Sequence, residues 1–346
     1  MKDLWGREID YMRISITDRC NLRCRYCMPE GIESHPRWEI LSLEEIEAAA
    51  ACAAGLGIRH IKITGGEPLV RKDCCSLIKR VKEVKGIEKV TITTNGLLLR
   101  KYLPDLLEAG IDGINISLDT LNRQRYLALT GFDGLHEVME AIKEVSALPI
   151  PVKINAVSLE LGGDQEEQDW RKLTGLAKEF PVDVRFIEMM PIGYGKQFKT
   201  INHKELLEAM KKVFPDMEED KRQHGFGPAV YYKIPGFSGS IGFISAIHGK
   251  FCDSCNRIRL TSEGYLKPCL CYEEGVDLRR VLRDGAQFQG ETGHYIWPYR
   301  DNPCEEGLQK RLRAVMKAAI EAKPAAHCFE KPEQITESHG MSSIGG

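Results

Sequence analysis

The amino-acid sequence predicts an α/β fold built on a parallel β-sheet. In the first half of the chain, short β-type runs alternate with helical patterns, and nearly every β-type run is followed by polar or glycine-rich residues. After about residue 190, short β-type runs follow one another through glycine-rich connections. Alternating strands and helices favour parallel strands joined by right-handed crossovers. Six such units suit either an open doubly wound sheet or a partial barrel, and both folds place their chemistry at the C-terminal ends of the strands.

Hydrophobic periodicity predicts each element of the first half. Residues 11–16 alternate in the manner of a strand. The alanine- and glutamate-rich residues 43–56 indicate a helix, with Ser42 as its N-cap and Gly57 as its stop. By the same criteria the further strands are 60–64, 89–93, 113–118, 151–157 and 182–187, and the further helices are 77–85, 103–109, 135–146 and 167–180.

The second half carries fewer helical patterns. It contains β-type runs at 231–234, 240–245 and 257–260, followed by helical patterns at 276–283 and 305–322. The stretch from Lys323 onward contains proline, glutamate and serine. We expect this last stretch to lie on the surface or to be mobile.

Composition limits the partners and the compartment. The 346 residues have a net charge of -2, so we expect neither nucleic acid nor a membrane surface as a partner. No run approaches the ~18 apolar residues of a membrane-spanning helix, and the first residues lack the apolar region of a secretory signal. The 12 cysteines therefore indicate metal binding or redox chemistry rather than a secreted disulfide scaffold, and we expect a cytoplasmic protein.

The first cysteine cluster is the strongest motif in the sequence. Cys20, Cys24 and Cys27 follow the first predicted strand with the spacing C-x3-C-x2-C. Three thiolates on one tight loop can hold three irons of a [4Fe–4S] cluster and leave the fourth iron for a small molecule. The alternative is a structural zinc site, which normally takes four protein ligands. One strand later, the turn Gly65–Pro68 with sequence GGEP would let backbone approach a ligand closely.

A second cysteine cluster lies near residue 260. Cys252 and Cys255 form a C-x2-C motif, and Cys269 follows fourteen residues later. These three could hold another iron–sulfur cluster, or they could bind zinc together with Cys271 or His248. Spacing leaves the choice between Cys269 and Cys271 open, because residues two apart share one face of a strand.

Basic residues on the predicted strands indicate an anionic substrate. Arg257 and Arg259 are two apart on one strand and would point the same way, beside the second cysteine cluster. Arg13, Lys62 and Lys153 lie on other strands of the predicted sheet. A single strand cation is usually exposed to solvent, but five around one site favour a phosphate or carboxylate ligand.

These motifs together resemble the radical S-adenosylmethionine (SAM) superfamily and, within it, the GTP 3′,8-cyclase family. The resemblance rests on YMRISITDRCNLRCRYCMP, TGGEPL, TTNG, SLD, RFIEMM and FCDSCNRIRL, and it runs from about residue 5 to the end of the chain. It implies a partial (β/α)6 TIM-like barrel whose open side is covered by a C-terminal α+β extension. In that scheme residues 1–190 form the barrel, 191–330 the substrate-binding region with an auxiliary cluster, and 331–346 a flexible tail ending in Gly345-Gly346.

The resemblance also assigns site residues. It implies that Cys20, Cys24 and Cys27 hold a [4Fe–4S] cluster that cleaves SAM, and that Cys252, Cys255 and Cys269 hold a second one that binds the guanine of GTP. The implied SAM-binding residues are Tyr26, Gly66, Ser117 and Met190. The implied GTP-binding residues are Arg13, Lys62, Thr93, Lys153, Arg257 and Arg259, of which Arg13, Arg257 and Arg259 are the implied catalytic arginines. Lys62 stands where the family pattern leads us to expect arginine, so a bidentate phosphate contact is replaced by a point charge.

The implied activity is the first step of molybdenum cofactor biosynthesis. SAM is cleaved to methionine and a 5′-deoxyadenosyl radical, which takes hydrogen from C3′ of GTP, and the sugar radical then attacks C8 of guanine. The implied partners are an external electron donor and cyclic pyranopterin monophosphate synthase as the next enzyme, with the chain a monomer or a homodimer. Two alternatives remain at this stage: a radical SAM enzyme that matures peptides, and a zinc- or cluster-binding scaffold without activity.

Overall fold

The computed structural model describes residues 1–31, 35–159, 166–285, 287–289, 294–296, 299, 302–341 and 344. Among these residues, the first half of the chain contains six strands and six α-helices. They confirm the predicted alternation, except that two helices, α4 and α5, lie between β4 and β5. The strands are β1 (Tyr11–Ser15), β2 (His60–Thr64), β3 (Lys89–Thr94), β4 (Gly113–Ser117), β5 (Val152–Ser158) and β6 (Asp183–Glu188). The helices are α1 (Leu43–Gly55), α2 (Cys74–Glu83), α3 (Leu99–Glu108), α4 (Arg123–Thr130), α5 (Leu135–Ser146) and α6 (Glu166–Glu179).

In the described residues of the second half there are further short strands and three α-helices. The strands are β7 (Glu218–Glu219), β8 (Val230–Lys233), β9 (Ile241–Ile244), β10 (Arg257–Leu260), β11 (Tyr265–Lys267), β12 (Val276–Asp277), β13 (Gln287–Gln289) and β14 (His294–Ile296). The helices are α7 (His203–Val213), α8 (Leu278–Leu282) and α9 (Glu306–Glu321). Neither α4 nor α7 is predicted from the sequence. Helix α4 lacks an apolar repeat and is defined by its ends, where Asn122 caps the N-terminus and Gly131 takes the left-handed conformation with φ 71°.

The strand order distinguishes the partial barrel from the doubly wound alternative. The main sheet has the order β12-β11-β10-β1-β2-β3-β4-β5-β6-β9-β8-β7. Strands β1 to β6 are neighbours in chain order and run parallel, and β10 and β9 extend the parallel run beyond β1 and β6. A doubly wound sheet would reverse its order at a switch point. The sequential order instead gives a partial TIM-like barrel. In such a barrel the C-terminal ends of β1 to β6 lie together on one side.

Helices α1 and α9 pack together on the outside of the sheet. Helix α1 begins with a capping box, in which Ser42 Oγ accepts from Glu45 N at 3.2 Å and Glu45 Oε2 accepts from Ser42 N at 2.8 Å. Its buried alanines present little bulk, so the backbone of α9 comes close enough for Gln309 Nε2 to donate to Ala48 O at 3.1 Å. The carboxylate of Glu45 also pairs with Arg283 Nε at 2.6 Å, which joins the start of α1 to the residue after α8.

The stretch that follows α9 lies on the surface only in part: residues 325, 326 and 330–334 are exposed, as predicted, but several residues between and after them are buried. Lys323, His327, Cys328 and Phe329 are each less than one-tenth exposed. Cys328 and Phe329 belong to a small apolar cluster whose other buried members are Ile192, Ala246, Leu270, Cys271, Ile335 and Ile344. This segment packs against the part of the chain that carries the second cysteine cluster. Gly345 and Gly346 lie outside the described residues, and the division at residues 190 and 330 stays a prediction.

None of the helices seen in the described residues has both the length and the apolar character that crossing a bilayer requires.

Candidate active site

One cavity of about 300 Å³ lies at the C-terminal ends of the barrel strands. Its wall contains all three cysteines of each triad, Cys20, Cys24 and Cys27 on one part and Cys252, Cys255 and Cys269 on another. The predicted residues Arg13, Tyr26, Gly66, Thr93, Ser117, Met190, Arg257 and Arg259 also line it. Two motifs more than 200 residues apart in the sequence therefore face the same cavity.

The first cysteine triad is carried by the loop after β1. This loop is fixed on α4, because Arg23 N donates to Thr130 O at 2.8 Å and Arg25 N donates to Leu129 O at 2.9 Å. Cys20 Sγ accepts from Leu22 N at 3.4 Å, an interaction that favours the thiolate form. Burial raises the pKa of Cys24 well above its usual value, and the other two cysteines add to the rise. The three thiols are therefore close electrostatic neighbours that a cationic cofactor would stabilise as thiolates.

The GGE turn is held against the cysteine loop by contacts that require glycine. A Cβ on Gly66 would lie 2.4 Å from Arg19 O, and one on Gly65 would lie 2.7 Å from Thr17 O. The backbone instead makes two short hydrogen bonds, from Gly66 N to Thr17 O and from Glu67 N to Arg19 O, both at 2.8 Å. These contacts explain the paired glycines as a requirement for close approach of two loops.

Glu67 and Asp119 place two buried carboxylates on the side of the first triad. Glu67 accepts from Asn95 N at 2.7 Å and from Thr94 Oγ1 at 2.8 Å, and burial raises its pKa to about 7 in spite of these bonds. Asp119 accepts from Tyr26 OH at 2.6 Å and from Val157 N at 2.8 Å, and burial raises its pKa as well. This wall is acidic and suits a ligand with positive charge.

The second triad combines a short helical turn with a loop. Cys252 lies in the turn Cys252–Ser254, directly before β10, and Cys269 follows β11. Cys252 Sγ accepts from His327 N at 3.4 Å. Burial by itself would raise the pKa of Cys255, but the positive charges of Arg257 and Lys323 outweigh it and lower this pKa to about 7. The site therefore favours thiolate at Cys255.

The structure separates Cys269 from Cys271. Cys269 lines the cavity, whereas Cys271 Sγ lies 3.3 Å from Cys328 Sγ in the small apolar cluster. His248, the other candidate for completing a zinc site, is bonded through Nδ1 to Glu188 Oε1 at 2.8 Å. Within the described residues no group of three or more His, Cys, Asp or Glu side chains is arranged to hold a single metal ion.

Three arginines line the cavity in a defined register. Arg13 on β1 pairs in register with Arg259 on β10, and Arg257 lies two residues before Arg259 on the same strand. Burial lowers the pKa of Arg13 to about 10, with further lowering from Arg257 and Arg185. Burial also lowers the pKa of Arg259 well below its usual value, and Arg13 and Arg257 add to that effect. Clustered buried cations of this kind fit an anionic ligand.

Lys62 and Lys153 lie deeper in the barrel than the cavity wall. Lys62 pairs in register with Arg13 and shares the inward face of β2 with Thr64, which lines the cavity. Burial lowers the pKa of Lys62 well below its usual value, and Arg185, Arg13 and Lys153 lower it further. Lys153 Nζ donates to Tyr231 OH at 3.0 Å and is 3.4 Å from Asp183 Oδ2.

Sequence reasoning missed three cations at this site. Arg185 lies on the inward face of β6, and its Nε donates to Asn155 Oδ1 at 2.9 Å. Arg185 could have been found from the sequence, because it is a charged residue on a predicted buried strand, which is the pattern that identified Lys153. Arg7 and Lys323 also line the cavity. They had no motif to mark them, because both belong to segments without regular structure in the sequence pattern.

The buried polar atoms of the wall fit the cofactor that the motifs imply. Thr64 Oγ1 and His327 Nε2 are buried without a hydrogen-bond partner in the described protein, and both residues line the cavity. Buried polar atoms normally find partners, so these two indicate a polar ligand. Each triad offers three thiols and receives a backbone N–H on one sulfur, which are the donor set and the environment that iron–sulfur clusters use.

Comparisons with known proteins agree with this site. Residues 14–173 match the model of the radical SAM superfamily, and residues 182–297 match the model of Molybdenum Cofactor Synthesis C. In structure, the chain is similar to SuiB of Streptococcus suis bound to S-adenosylmethionine, with a TM-score of 0.60 and 16% identity over 95% of this chain and 75% of that chain. At this identity the likeness shows the fold. Fold, cysteine loop and family model together define a radical SAM enzyme, with SAM and an iron–sulfur cluster as its cofactors.

Relatives of full length are more specific. The chain is 40% identical over 347 residues to GTP 3′,8-cyclase of Clostridium perfringens (strain 13 / Type A), with 100% of both chains covered. It is 41% identical over 356 residues to GTP 3′,8-cyclase of Alkaliphilus oremlandii, again with 100% of both covered. The enzyme of the same name from Peptoclostridium acidaminophilum is 43% identical over 99% of this chain and 98% of its own. The chain belongs to the GTP 3′,8-cyclase family.

Proposed function

We propose that this protein is a lyase that converts GTP to (8S)-3′,8-cyclo-7,8-dihydroguanosine 5′-triphosphate, the first step of molybdenum cofactor biosynthesis. The observation that carries the proposal is the shared cavity, which is lined by both cysteine triads and by Arg13, Arg257 and Arg259. Membership of the GTP 3′,8-cyclase family supports the same conclusion. Two thiol triads and three cations in one cavity support two cofactor positions and one anionic substrate.

The acidic part of the wall is assigned to SAM. Cys20, Cys24 and Cys27 would hold a [4Fe–4S] cluster whose fourth iron binds the amino and carboxylate groups of SAM. When it is bound and reduced, this cluster supplies the electron that cleaves SAM into methionine and the 5′-deoxyadenosyl radical. Gly66, Ser117 and Met190 line the cavity at the ends of three different strands and would position SAM there, together with Tyr26. The carboxylates of Glu67 and Asp119 complement the positive sulfonium group of SAM.

The basic part of the wall is assigned to GTP. Cys252, Cys255 and Cys269 would hold a second [4Fe–4S] cluster that contacts the guanine base. Arg13, Arg257 and Arg259 would bind the phosphates and orient the ribose toward the first site, and Thr93 on the same cavity wall would also contact GTP. Lys62, Lys153 and Arg185 share the inward face of the barrel and extend this positive field below the cavity. Positioning and charge complementarity are thus the contributions of the chain itself.

The walls also protect the reaction from solvent. Leu22, Ile187, Ile244 and Phe251 line the cavity beside the polar groups. Such apolar walls exclude water and keep a reactive radical from side reactions. An external electron donor would reduce the first cluster, and the product would pass to cyclic pyranopterin monophosphate synthase.

The decisive test is an anaerobic assay of the reconstituted protein with SAM, dithionite and GTP, in which 5′-deoxyadenosine and loss of GTP are measured together. We expect both in step. Arg257→Ala and Arg259→Ala should each lower GTP conversion about 10- to 100-fold, because each removes charge-assisted hydrogen bonds worth about 1.5–3 kcal/mol. Uncoupled SAM cleavage should persist in both variants. Arg100→Ala, which changes an exposed arginine paired with Glu144, is the matched control.

Two outcomes would contradict the proposal. Formation of 5′-deoxyadenosine with GTP untouched would identify a radical SAM enzyme that acts on a different substrate. Equal loss of SAM cleavage and GTP conversion in Arg257→Ala and Arg259→Ala would remove these arginines from substrate binding.

Two cysteine variants test which thiols bind the second cluster. Cys269→Ala should lower the iron content of the reconstituted protein by about four atoms per chain, because the second cluster would lose one of its three thiolates. Cys271→Ala should leave the iron content unchanged, since Cys271 faces Cys328 outside the cavity. The reverse result would move the ligand role from Cys269 to Cys271.

A further inference from the structure

We propose that Lys323 is a positioning residue of the second cluster, whose ammonium group ties together the chain segments that carry Cys255 and Cys269 and supplies positive charge to their thiolates. This inference rests on the proposed function, because it requires that the second triad holds an iron–sulfur cluster. Lys323 lies just beyond α9 and has no place in the cysteine motif.

The contacts of Lys323 join two separate segments. Its Nζ donates to Arg257 O at 2.8 Å and to Pro268 O at 2.5 Å. Arg257 is two residues after Cys255, and Pro268 immediately precedes Cys269. The ammonium group also interacts electrostatically with the Cys255 thiol. One ammonium group, with its three donors, therefore fixes the spacing between two of the three thiols.

Burial of this lysine needs a compensating negative group. Lys323 is only 4% exposed, and none of the ion pairs seen among the described residues includes it. An ammonium group buried without a counter-charge is unfavourable by several kcal/mol. Two carbonyl oxygens satisfy donors without neutralising the charge. The thiols of Cys255 and Cys269, which interact electrostatically with Lys323, become negative when they bind iron and then provide that charge.

The third thiol is held by the same segment in a different way. His327 N donates to Cys252 Sγ at 3.4 Å, and Arg7 donates to Cys252 O at 2.9 Å and to the carbonyls of Pro324 and Ala325. The charge of Arg7 is already balanced by Asp3, since Arg7 Nε is 2.6 Å from Asp3 Oδ2. Arg7 therefore contributes geometry at Cys252, while Lys323 contributes both geometry and net charge at Cys255 and Cys269.

Two measurable effects follow from removing the ammonium group. Groups that orient metal ligands typically contribute about 10- to 100-fold to metal affinity, so the second cluster should be lost more readily. Net charge and hydrogen bonds near the sulfurs set the reduction potential of a cluster. Loss of one positive charge makes the added electron less favourable, so the midpoint potential of the second cluster should become more negative.

The experiment isolates the second site by combining Cys20→Ala, Cys24→Ala and Cys27→Ala in one parent protein. Lys323→Met, which keeps the length of the side chain without its charge, and Lys323→Arg, which keeps the charge, are compared in this parent. Lys317→Met is the control, because Lys317 is an exposed residue of α9 that pairs with Glu321. After anaerobic reconstitution, iron and sulfide content, resistance to a chelator and the midpoint potential are measured. In the natural chain, SAM cleavage by Lys323→Met reports that the barrel still folds.

The proposal predicts a cluster in Lys323→Met that is lost to the chelator about 10- to 100-fold more readily and has a more negative potential. Lys323→Arg should retain most of the resistance and the potential, and Lys317→Met should match the parent. An unchanged potential in Lys323→Met would overturn the proposal, as would equal losses in Lys323→Arg and Lys323→Met. A parent protein that binds no iron at all would refute the second cluster itself, and the inference would fall with it.

Discussion

Removal of the buried charge of Lys62 should stabilise the ligand-free protein and weaken GTP binding. Lys62 is nine-tenths buried and has Arg13, Lys153 and Arg185 as its charged neighbours. The energetic scale comes from Arg13, whose pKa falls from 12.5 to about 10, first through burial and then through other arginines. That fall corresponds to about 3 kcal/mol of unfavourable free energy for the charged form in the folded state. Replacing buried ionic groups by apolar side chains of similar volume is often neutral or stabilising, by up to about 4 kcal/mol.

Lys62→Met should therefore raise the free energy of unfolding without GTP by about 1–3 kcal/mol. The same change should weaken GTP binding at least tenfold, which removes about 1.4 kcal/mol or more of the stabilisation by saturating GTP. Both effects can be measured as anaerobic thermal transitions of the reconstituted protein, with and without GTP. Lys310→Met, on the exposed side of α9, is the control and should change neither. A variant with a lower Tm without GTP and an unchanged increase on adding GTP would refute the reasoning.

Three further predictions concern the cysteine loop, a buried histidine and a helix cap. Gly66→Ala should abolish 5′-deoxyadenosine formation in the SAM cleavage assay, because its Cβ would lie 2.4 Å from Arg19 O and force the two loops apart; wild-type rates would show that the loops can separate without harm. The pKa of His203 is lowered to about 4 by burial, so its contribution to stability is present above pH 6.5 and is lost as the pH falls toward 4. In His203→Asn, the free energy of unfolding in urea should fall by up to about 3 kcal/mol less between pH 6.5 and pH 4 than it does in the unmodified protein. An equal fall in both proteins would exclude His203 as the source of this pH dependence. Ser42→Ala should cost about 0.5–2 kcal/mol in the same urea experiment, whereas no loss would mean that Glu45 caps α1 without the serine.

The barrel could be predicted because its signals are local. Each of the six strands carries enough apolar or β-branched residues to be read from periodicity alone, and the motifs follow the strands where a parallel sheet brings them together. Helix α4 could not be predicted in this way, because its apolar residues do not form one continuous face and its bounds depend on caps at its two ends. The choice between the doubly wound sheet and the partial barrel also needed the observed strand order, since both have the same local pattern.

The residues around the second cysteine triad could not all be predicted from local sequence patterns. The spacing of Cys269 and Cys271 is equally compatible with either as a ligand, and only the position of Cys328, 57 residues further on, separates them. Lys323 is followed by proline and two alanines, which is typical of an exposed connection. Its burial depends on carbonyl oxygens and thiols at positions 255–269. No periodicity records such a contact, because the partners lie on a different part of the chain.

The position of Arg7 and Lys323 at opposite ends of the sequence has a consequence for biosynthesis on the ribosome. The loop of the first triad is supported by α4, β2 and β3, all of which precede residue 131. The second triad needs the segment from Lys323 to His327, which emerges about 200 residues later. At roughly 5–20 residues per second, translation separates the two events by about 10–40 s. The contacts that support the first triad can therefore form well before the chain contains the residues that the second triad needs.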